Sequence, residues 1–109
     1  MDFDLVMYSR LFACPFVKRA KRYLEKNKIK YSEILIDKDD SARDLVVSWT
    51  GFESVPTIIV ANPGETLPAS LPEPLASGAS PRGVNRGSMI TEPSNRELEE
   101  WLRQHHIIP

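Results

Sequence analysis

The chain has 109 residues, of which 41% are hydrophobic and 27% are charged, and its formal net charge is −1. These values are typical of one globular domain, here residues 1–109, and give no reason to expect nucleic acid or a membrane surface as a partner. No apolar segment approaches the roughly 20 residues of a membrane-spanning helix, and the acidic residues 1–4 lack the features of a signal peptide, so we expect a cytoplasmic protein.

The first half of the chain alternates strand and helix patterns. Residues 5–8 form a short apolar run that is typical of a buried strand. Pro15 suits the first position of a helix, where no amide hydrogen bond is needed, and the apolar residues from 16 to 26 recur at helical spacing. A second strand is predicted over residues 31–36.

A second helix and a third strand follow. One of the residues 39–41 caps a helix that runs to about Trp49, and Gly51 is suited to end it. The β-branched run at residues 57–60 predicts a strand. The order β-α-β-α-β places helices between strands that can pair in parallel, as in α/β proteins.

Residues 62–87, called the insertion below, interrupt this pattern with five prolines among glycines, serines and alanines. Such a long irregular segment is unusual inside a compact domain, and we expect a mobile excursion between two antiparallel strands. The returning strand is predicted over residues 88–91. Ser94 and Glu97 then form a capping box, and the last helix carries an apolar stripe of Leu98, Trp101 and Leu102. The complete order is β-α-β-α-β-β-α.

Cys14 is the one cysteine of the chain, which excludes an intramolecular disulfide and a cysteine-based metal site within one chain. We expect it in an exposed loop between the first strand and the first helix. The unpaired amides and the dipole of a helix N-terminus stabilise a thiolate, and Arg10, Lys18 and Arg19 add positive charge nearby. Because the thiolate is the nucleophilic form, Cys14 is the candidate catalytic residue. The alternative is a buried, inert cysteine that acts as a small hydrophobic residue.

Two motifs carry a family resemblance. Residues 14–17 read Cys-Pro-Phe-Val, and residues 50–56 read Thr-Gly-Phe-Glu-Ser-Val-Pro, directly before the third predicted strand. They resemble the glutaredoxins, whose Cys-Pro-aromatic-Cys loop faces a Val-Pro with a cis peptide bond. The resemblance covers residues 4–60 well and residues 88–104 loosely. It implies a thioredoxin-like α/β fold with a four-stranded mixed sheet, three helices and the insertion before the last strand.

The resemblance also implies a thiol–disulfide oxidoreductase. Val17 stands where dithiol members have their second cysteine, so the implied cycle uses Cys14 alone. Cys14 attacks a mixed disulfide, carries glutathione and passes it to a second glutathione. Glutathione is then the co-substrate, and glutathionylated or disulfide-bonded proteins are the partners of a monomeric enzyme. The implied substrate-binding residues are Arg10, Pro15, Phe16, Val55, Pro56, Ser94 and Asn95.

Several positions depart from the family pattern around glutathione. Leu11 stands where the family usually has a basic residue, and Phe52 and Glu53 replace a Gln-Arg-type pair. Glu53 would repel a carboxylate of glutathione. The Gly-Gly-Asp-like turn with which the family holds the other end of glutathione is not evident. The amides that begin the last helix, near Ser94 and Asn95, can nevertheless bind a carboxylate.

These departures leave other functions open. One is a non-catalytic binding or adaptor module that uses the groove beside Val55-Pro56 and the insertion, where Pro72-Glu73-Pro74 is suited to an extended docking arm. A dimer that shares an iron–sulfur cluster is disfavoured, because family members of that kind usually have Gly-Phe-Ser after the cysteine and here proline follows it. No other metal site is predicted.

Overall fold

The computed structural model describes residues 2–12 and 14–109. Its helices and strands follow in the order β-α-β-α-β-β-α, as the sequence predicts. In the described residues, no helix is both long enough and apolar enough to cross a membrane. The elements are β1 (Asp4–Ser9), α1 (Pro15–Lys26), β2 (Ser32–Leu35), α2 (Asp40–Thr50), β3 (Thr57–Ala61), β4 (Met89–Thr91) and α3 (Asn95–Gln104).

The four strands form one mixed sheet in the order β2-β1-β3-β4. β1 pairs in parallel with β2, and Tyr8 lies opposite Ile34. β3 runs antiparallel to β1 and to β4, so Tyr8 also lies opposite Thr57. This is the mixed, thioredoxin-like sheet that the family resemblance implies. Parallel pairing is confirmed for β1 and β2, but it is wrong for the third strand, which runs antiparallel to β1.

The sheet separates two groups of core side chains, because successive residues of a strand point to opposite faces. Val6 and Tyr8 of β1 pack on one face against α2, together with Cys14 and Val17. Leu5 and Met7 pack on the other face against α1 and α3. The second group also contains Ala20 and Leu24 of α1. From α3 it contains the predicted apolar stripe, Leu98, Trp101 and Leu102.

Local signals in the sequence set the helix ends. The Asp39 carboxylate accepts a hydrogen bond from the Ala42 amide (3.1 Å) and caps α2. Gly51 ends α2 in the left-handed conformation (φ 82°), which costs glycine little. Ser94 and Glu97 form the predicted capping box of α3.

The insertion makes hydrogen bonds with the rest of the chain and within itself. The amide of Ala69 donates to the carbonyl of Val60 (2.8 Å). Arg86 is 6% exposed, and its guanidinium donates to the carbonyls of Glu73 (2.7 Å) and Trp49 (2.6 Å). Composition predicted a loop correctly, but a buried arginine that gathers backbone carbonyls from separate segments has no local sequence signature.

Candidate active site

Cys14 is the N-cap residue of α1. Its backbone is extended (φ −131°, ψ 121°), and Pro15 follows as the first helical residue. The side chain makes no capping hydrogen bond; its Sγ instead donates to the carbonyl oxygen of Val55 at 3.8 Å. Cys14 is only 6% exposed, so the expectation of an exposed cysteine is wrong. Packing of the thiol against the segment before β3 covers it, and only the tertiary fold creates that contact.

The segment before β3, Val55 and Pro56, lies opposite Cys14 and is called the cis-proline wall below. The Val55-Pro56 peptide bond is cis, and Val55 is buried. The carbonyl of Pro56 accepts a hydrogen bond from the Glu92 amide (2.8 Å), which ties this wall to the end of β4. Among residues 2–12 and 14–109, no hydrogen bond occupies the Val55 amide. The Val55 amide is therefore unpaired within this part of the chain, although Val55 is only 3% exposed.

Phe16, two residues after Cys14, lies between cations. The Cζ atom of Arg19 is 5.2 Å from the centre of the Phe16 ring, and that of Arg82 is 4.7 Å from it. Both distances are within the range of a favourable cation–π contact. Arg19 also donates through Nη2 to the carbonyl of Pro93 (2.8 Å). Arg19 therefore joins α1 to the β4–α3 connection, and Phe16 contacts the insertion through Arg82.

Arg82 reaches this position through the end of the insertion. The amide of Gly83 donates to the carbonyl of Thr91 (2.8 Å), which lays residues 82 and 83 alongside β4. Arg82 Nε lies 2.7 Å from the carboxylate of Glu92. Glu92 thus contacts the cis-proline wall through its backbone and Arg82 through its side chain.

Comparison with known proteins identifies the family of the chain. The profile of the family described as Glutaredoxin matches residues 5–63, more than half of the chain. The chain belongs to the glutaredoxin family. A comparison with curated sequences found no match. Among solved structures, the holo form of glutaredoxin C1 from Populus tremula x tremuloides is 15% identical, with a TM-score of 0.49; the match covers 94% of this chain and 76% of that chain.

Membership places the chain among thiol–disulfide oxidoreductases, a family that generally uses glutathione. In this chain, the residues that match the family include Cys14, Phe16 and Val55-Pro56, but the match ends within the first residues of the insertion. Arg82, Glu92 and the start of α3 therefore lie outside the match. The family match therefore indicates no role for these residues, and only their contacts do.

The start of α3 is partly occupied by the chain itself. The Ser94 amide donates to the Glu97 carboxylate (2.7 Å), and the Ser94 hydroxyl accepts from the Glu97 amide (3.1 Å). Asn95 is exposed beside them. A ligand carboxylate at this helix start would meet the negative charge of Glu97. The sequence predicted both the capping box and a carboxylate-binding helix start, but the first occupies the Ser94 amide that the second would use.

The remaining predicted residue, Arg10, is exposed at the end of β1. Beside it, the amide of Leu11 donates to both carboxylate oxygens of Asp37 (3.2 and 3.0 Å). Phe12 is 76% exposed and Phe52 is 61% exposed. The loops that lead to Cys14 and to Val55 therefore present apolar side chains, which the sequence analysis did not assign to the site.

Arg82 and Glu92 were missed by sequence reasoning. Arg82 is one arginine in an irregular segment, and its distance along the chain from Phe16 hides their contact. Glu92 adopts φ 46°, an unusual value for a residue with a side chain. No pattern in the sequence indicates that conformation.

Proposed function

We propose that the protein is a one-cysteine glutaredoxin in which Cys14 exchanges with glutathione mixed disulfides. The observation that supports this most strongly is the 3.8 Å contact of Cys14 Sγ with the Val55 carbonyl. It puts the sulfur at the start of α1 and beside the cis Val55-Pro56 bond.

The proposed cycle has two exchange steps. The Cys14 thiolate attacks the glutathione sulfur of a mixed disulfide, the S–S bond breaks, and the substrate thiolate leaves and takes a proton from water. Cys14 then carries glutathione as a disulfide. The thiolate of a second glutathione attacks the glutathione sulfur of this adduct, which releases oxidised glutathione and regenerates the Cys14 thiolate. No second protein cysteine is needed, consistent with Val17 at that position.

Substrate binding would use the wall opposite Cys14. The free Val55 amide and the Val55 carbonyl can pair with the backbone of glutathione as an added strand pairs with a sheet edge. Because that carbonyl now accepts from the thiol, the Cys14 side chain must turn away from it before exchange. Around this wall we assign substrate contacts to Arg10, Pro15, Phe16, Pro56, Ser94 and Asn95.

A turnover assay tests the proposal. The protein is mixed with a glutathionylated peptide and reduced glutathione at pH 7, and release of the free peptide is followed. We expect catalysis by the natural protein and a loss of at least about 100-fold in Cys14→Ser, since the nucleophile carries every step. Arg103→Gln, at the far end of α3, is the matched control and should retain activity. Absence of turnover by the natural protein would refute the proposed enzyme.

A non-catalytic binding module is the second candidate. It is favoured by a thiol that is 6% exposed and by the exposed aromatic side chains of Phe12 and Phe52. This candidate predicts that the protein binds oxidised glutathione or a disulfide peptide with the same affinity in its natural form and as Cys14→Ser, with no turnover. Turnover that depends on Cys14 decides against it.

A further inference from the structure

The contacts of Arg82 point to a role for the insertion in this site. Arg82 belongs to the insertion, outside the residues that match the family. Its guanidinium nevertheless lies over Phe16, within the first turn of α1. A residue far along the chain from Cys14 is thus placed beside the loop that carries the nucleophile.

Glu92 fixes the orientation of this guanidinium. Arg82 Nε lies 2.7 Å from the Glu92 carboxylate, and Glu92 is itself tied to Pro56 by its amide. In the described part of the chain, Nη1 and Nη2 of Arg82 have no hydrogen-bond partner, and the side chain is 60% exposed. A guanidinium held at Nε still offers its two terminal nitrogens to an oxyanion.

Arg19 provides a second positive group over the same ring. Nη2 of Arg19 donates to the carbonyl of Pro93, whereas its Nε is buried and, among the described residues, without a partner. Buried polar nitrogens normally have a partner. Arg82 and Arg19 carry two positive charges, and Glu92 neutralises one of them. The cluster therefore keeps one net positive charge and N–H donors that have no partner among the described residues.

Other groups of the site disfavour an anion. The Glu97 carboxylate occupies the Ser94 amide at the start of α3, and exposed Glu53 lies two residues before Val55. Leu11 and Phe52 are apolar and supply no charge to an anion. Arg82 and Arg19 are therefore favourable partners for a carboxylate that approaches Cys14 on the side of Phe16.

We infer that Arg82, held by Glu92 over Phe16 and assisted by Arg19, binds a carboxylate of the disulfide substrate. The inference rests on the proposed function, since it names the contact that selects an anionic substrate for Cys14. Arg82 is a specificity-determining residue supplied by the insertion. Glu92 is a positioning residue that acts through Arg82.

Binding measured without exchange tests the inference separately from the proposed reaction. In the Cys14→Ser background, the affinity for oxidised glutathione is measured by calorimetry, alone and combined with Arg82→Gln, Arg82→Lys or Arg103→Gln. The Arg103 change is matched, because that side chain is also half-exposed and also contacts one glutamate. The same variants are titrated with oxidised glutathione whose carboxylates are esterified.

We expect Arg82→Gln to raise the Kd for oxidised glutathione about three- to tenfold, as loss of one partly exposed charge-assisted contact would. Arg82→Lys should keep only part of the affinity, because one ammonium group cannot both pair with Glu92 and present two terminal nitrogens to a carboxylate. Arg103→Gln should change nothing, and the esterified ligand should be insensitive to all three. The loss should shrink at high salt. An unchanged Kd in Arg82→Gln, equal weakening for the esterified ligand, or no binding of oxidised glutathione at all would each overturn the inference. Failure of exchange by the natural protein, with Arg82-dependent binding intact, would refute only the proposed reaction.

Discussion

Cys14 Sγ lies 3.8 Å from the carbonyl oxygen of Val55, although 41 residues separate the two along the chain. The contact joins the start of α1 to the cis peptide that precedes β3. It buries the thiol and brings it beside the backbone groups that an extended substrate would use. The same contact therefore explains the low exposure of Cys14, and the proposed exchange requires that a substrate disulfide take its place.

Glu97→Gln should strengthen glutathione binding. The glutamine can still accept from the Ser94 amide, but the negative charge at the start of α3 is lost. We expect the Kd for oxidised glutathione to fall about two- to fivefold, and the free energy of unfolding to fall by about 0.3–1 kcal/mol through the helix dipole. Glu99→Gln, on the same helix, is the control for calorimetry and urea unfolding. An unchanged Kd in Glu97→Gln would contradict an inhibitory role of this carboxylate.

Gly83→Ala should destabilise the protein more than Gly64→Ala. Both glycines have positive φ (73° and 82°), so both variants carry a similar backbone strain. A Cβ on Gly83 would lie 2.7 Å from Glu97 Oε2, whereas one on Gly64 meets nothing within 4 Å. The Glu97 carboxylate can move away only by giving up the hydrogen bond that it accepts from the Ser94 amide. We expect an excess loss of about 1 kcal/mol in Gly83→Ala by urea unfolding.

The double variant Gly83→Ala/Glu97→Ala is the control for that explanation. Removal of the Glu97 side chain takes away the atoms that the new Cβ would meet, so the excess should disappear in a double-mutant cycle. Additive effects would show that the clash with Glu97 is not its cause.

Arg86→Ala should loosen the insertion. The guanidinium is buried and donates to the carbonyls of Glu73 and Trp49, and its loss leaves buried acceptors without partners. We expect the free energy of unfolding to fall by about 2–4 kcal/mol, with faster proteolysis in residues 62–87. Arg96→Ala, an exposed arginine, should change stability by less than about 0.5 kcal/mol. Resistance to proteolysis equal to that of the natural protein would contradict the fastening role.

Stability should fall above about pH 10, the ordinary pKa of tyrosine. Burial raises the pKa of Tyr8. Burial, the hydrogen bond to Glu25 and the repulsion from Glu25 and Glu33 raise the pKa of Tyr31. The unfolded chain then loses protons that the folded chain keeps, so the contribution is complete below the unfolded pKa and decreases as pH rises. Tyr31→Phe should flatten this decrease in urea unfolding between pH 9 and 11; an unchanged slope would contradict it.

The fold was predictable because its signals are local. Proline at the start of α1, the Asp39 cap, Gly51 and the Ser94–Glu97 box each act within a few residues, and they set the element order. The resemblance at residues 14–17 and 50–56 placed the thiol opposite the cis-proline segment. These signals positioned the backbone of the site correctly.

Side-chain relations across the fold were not predictable in the same way. The burial of Cys14, the fastening by Arg86 and the contact of Arg82 with Phe16 each join segments that are distant in sequence. Irregular composition in the insertion predicts a loop, but it does not show where the loop packs. Residues such as Arg82 and Glu92 therefore became candidates only through their contacts.

The nucleophilic role proposed for Cys14 is tested by its reaction with oxidised glutathione in the folded and in the urea-unfolded protein. The rate of adduct formation is followed by intact mass at pH 7, and reduced glutathione is then added. We expect one glutathione per chain, formed faster in the folded protein than in the unfolded one and removed by reduced glutathione. A folded protein that reacts more slowly than the unfolded chain would identify Cys14 as a buried, inert cysteine and would refute this role.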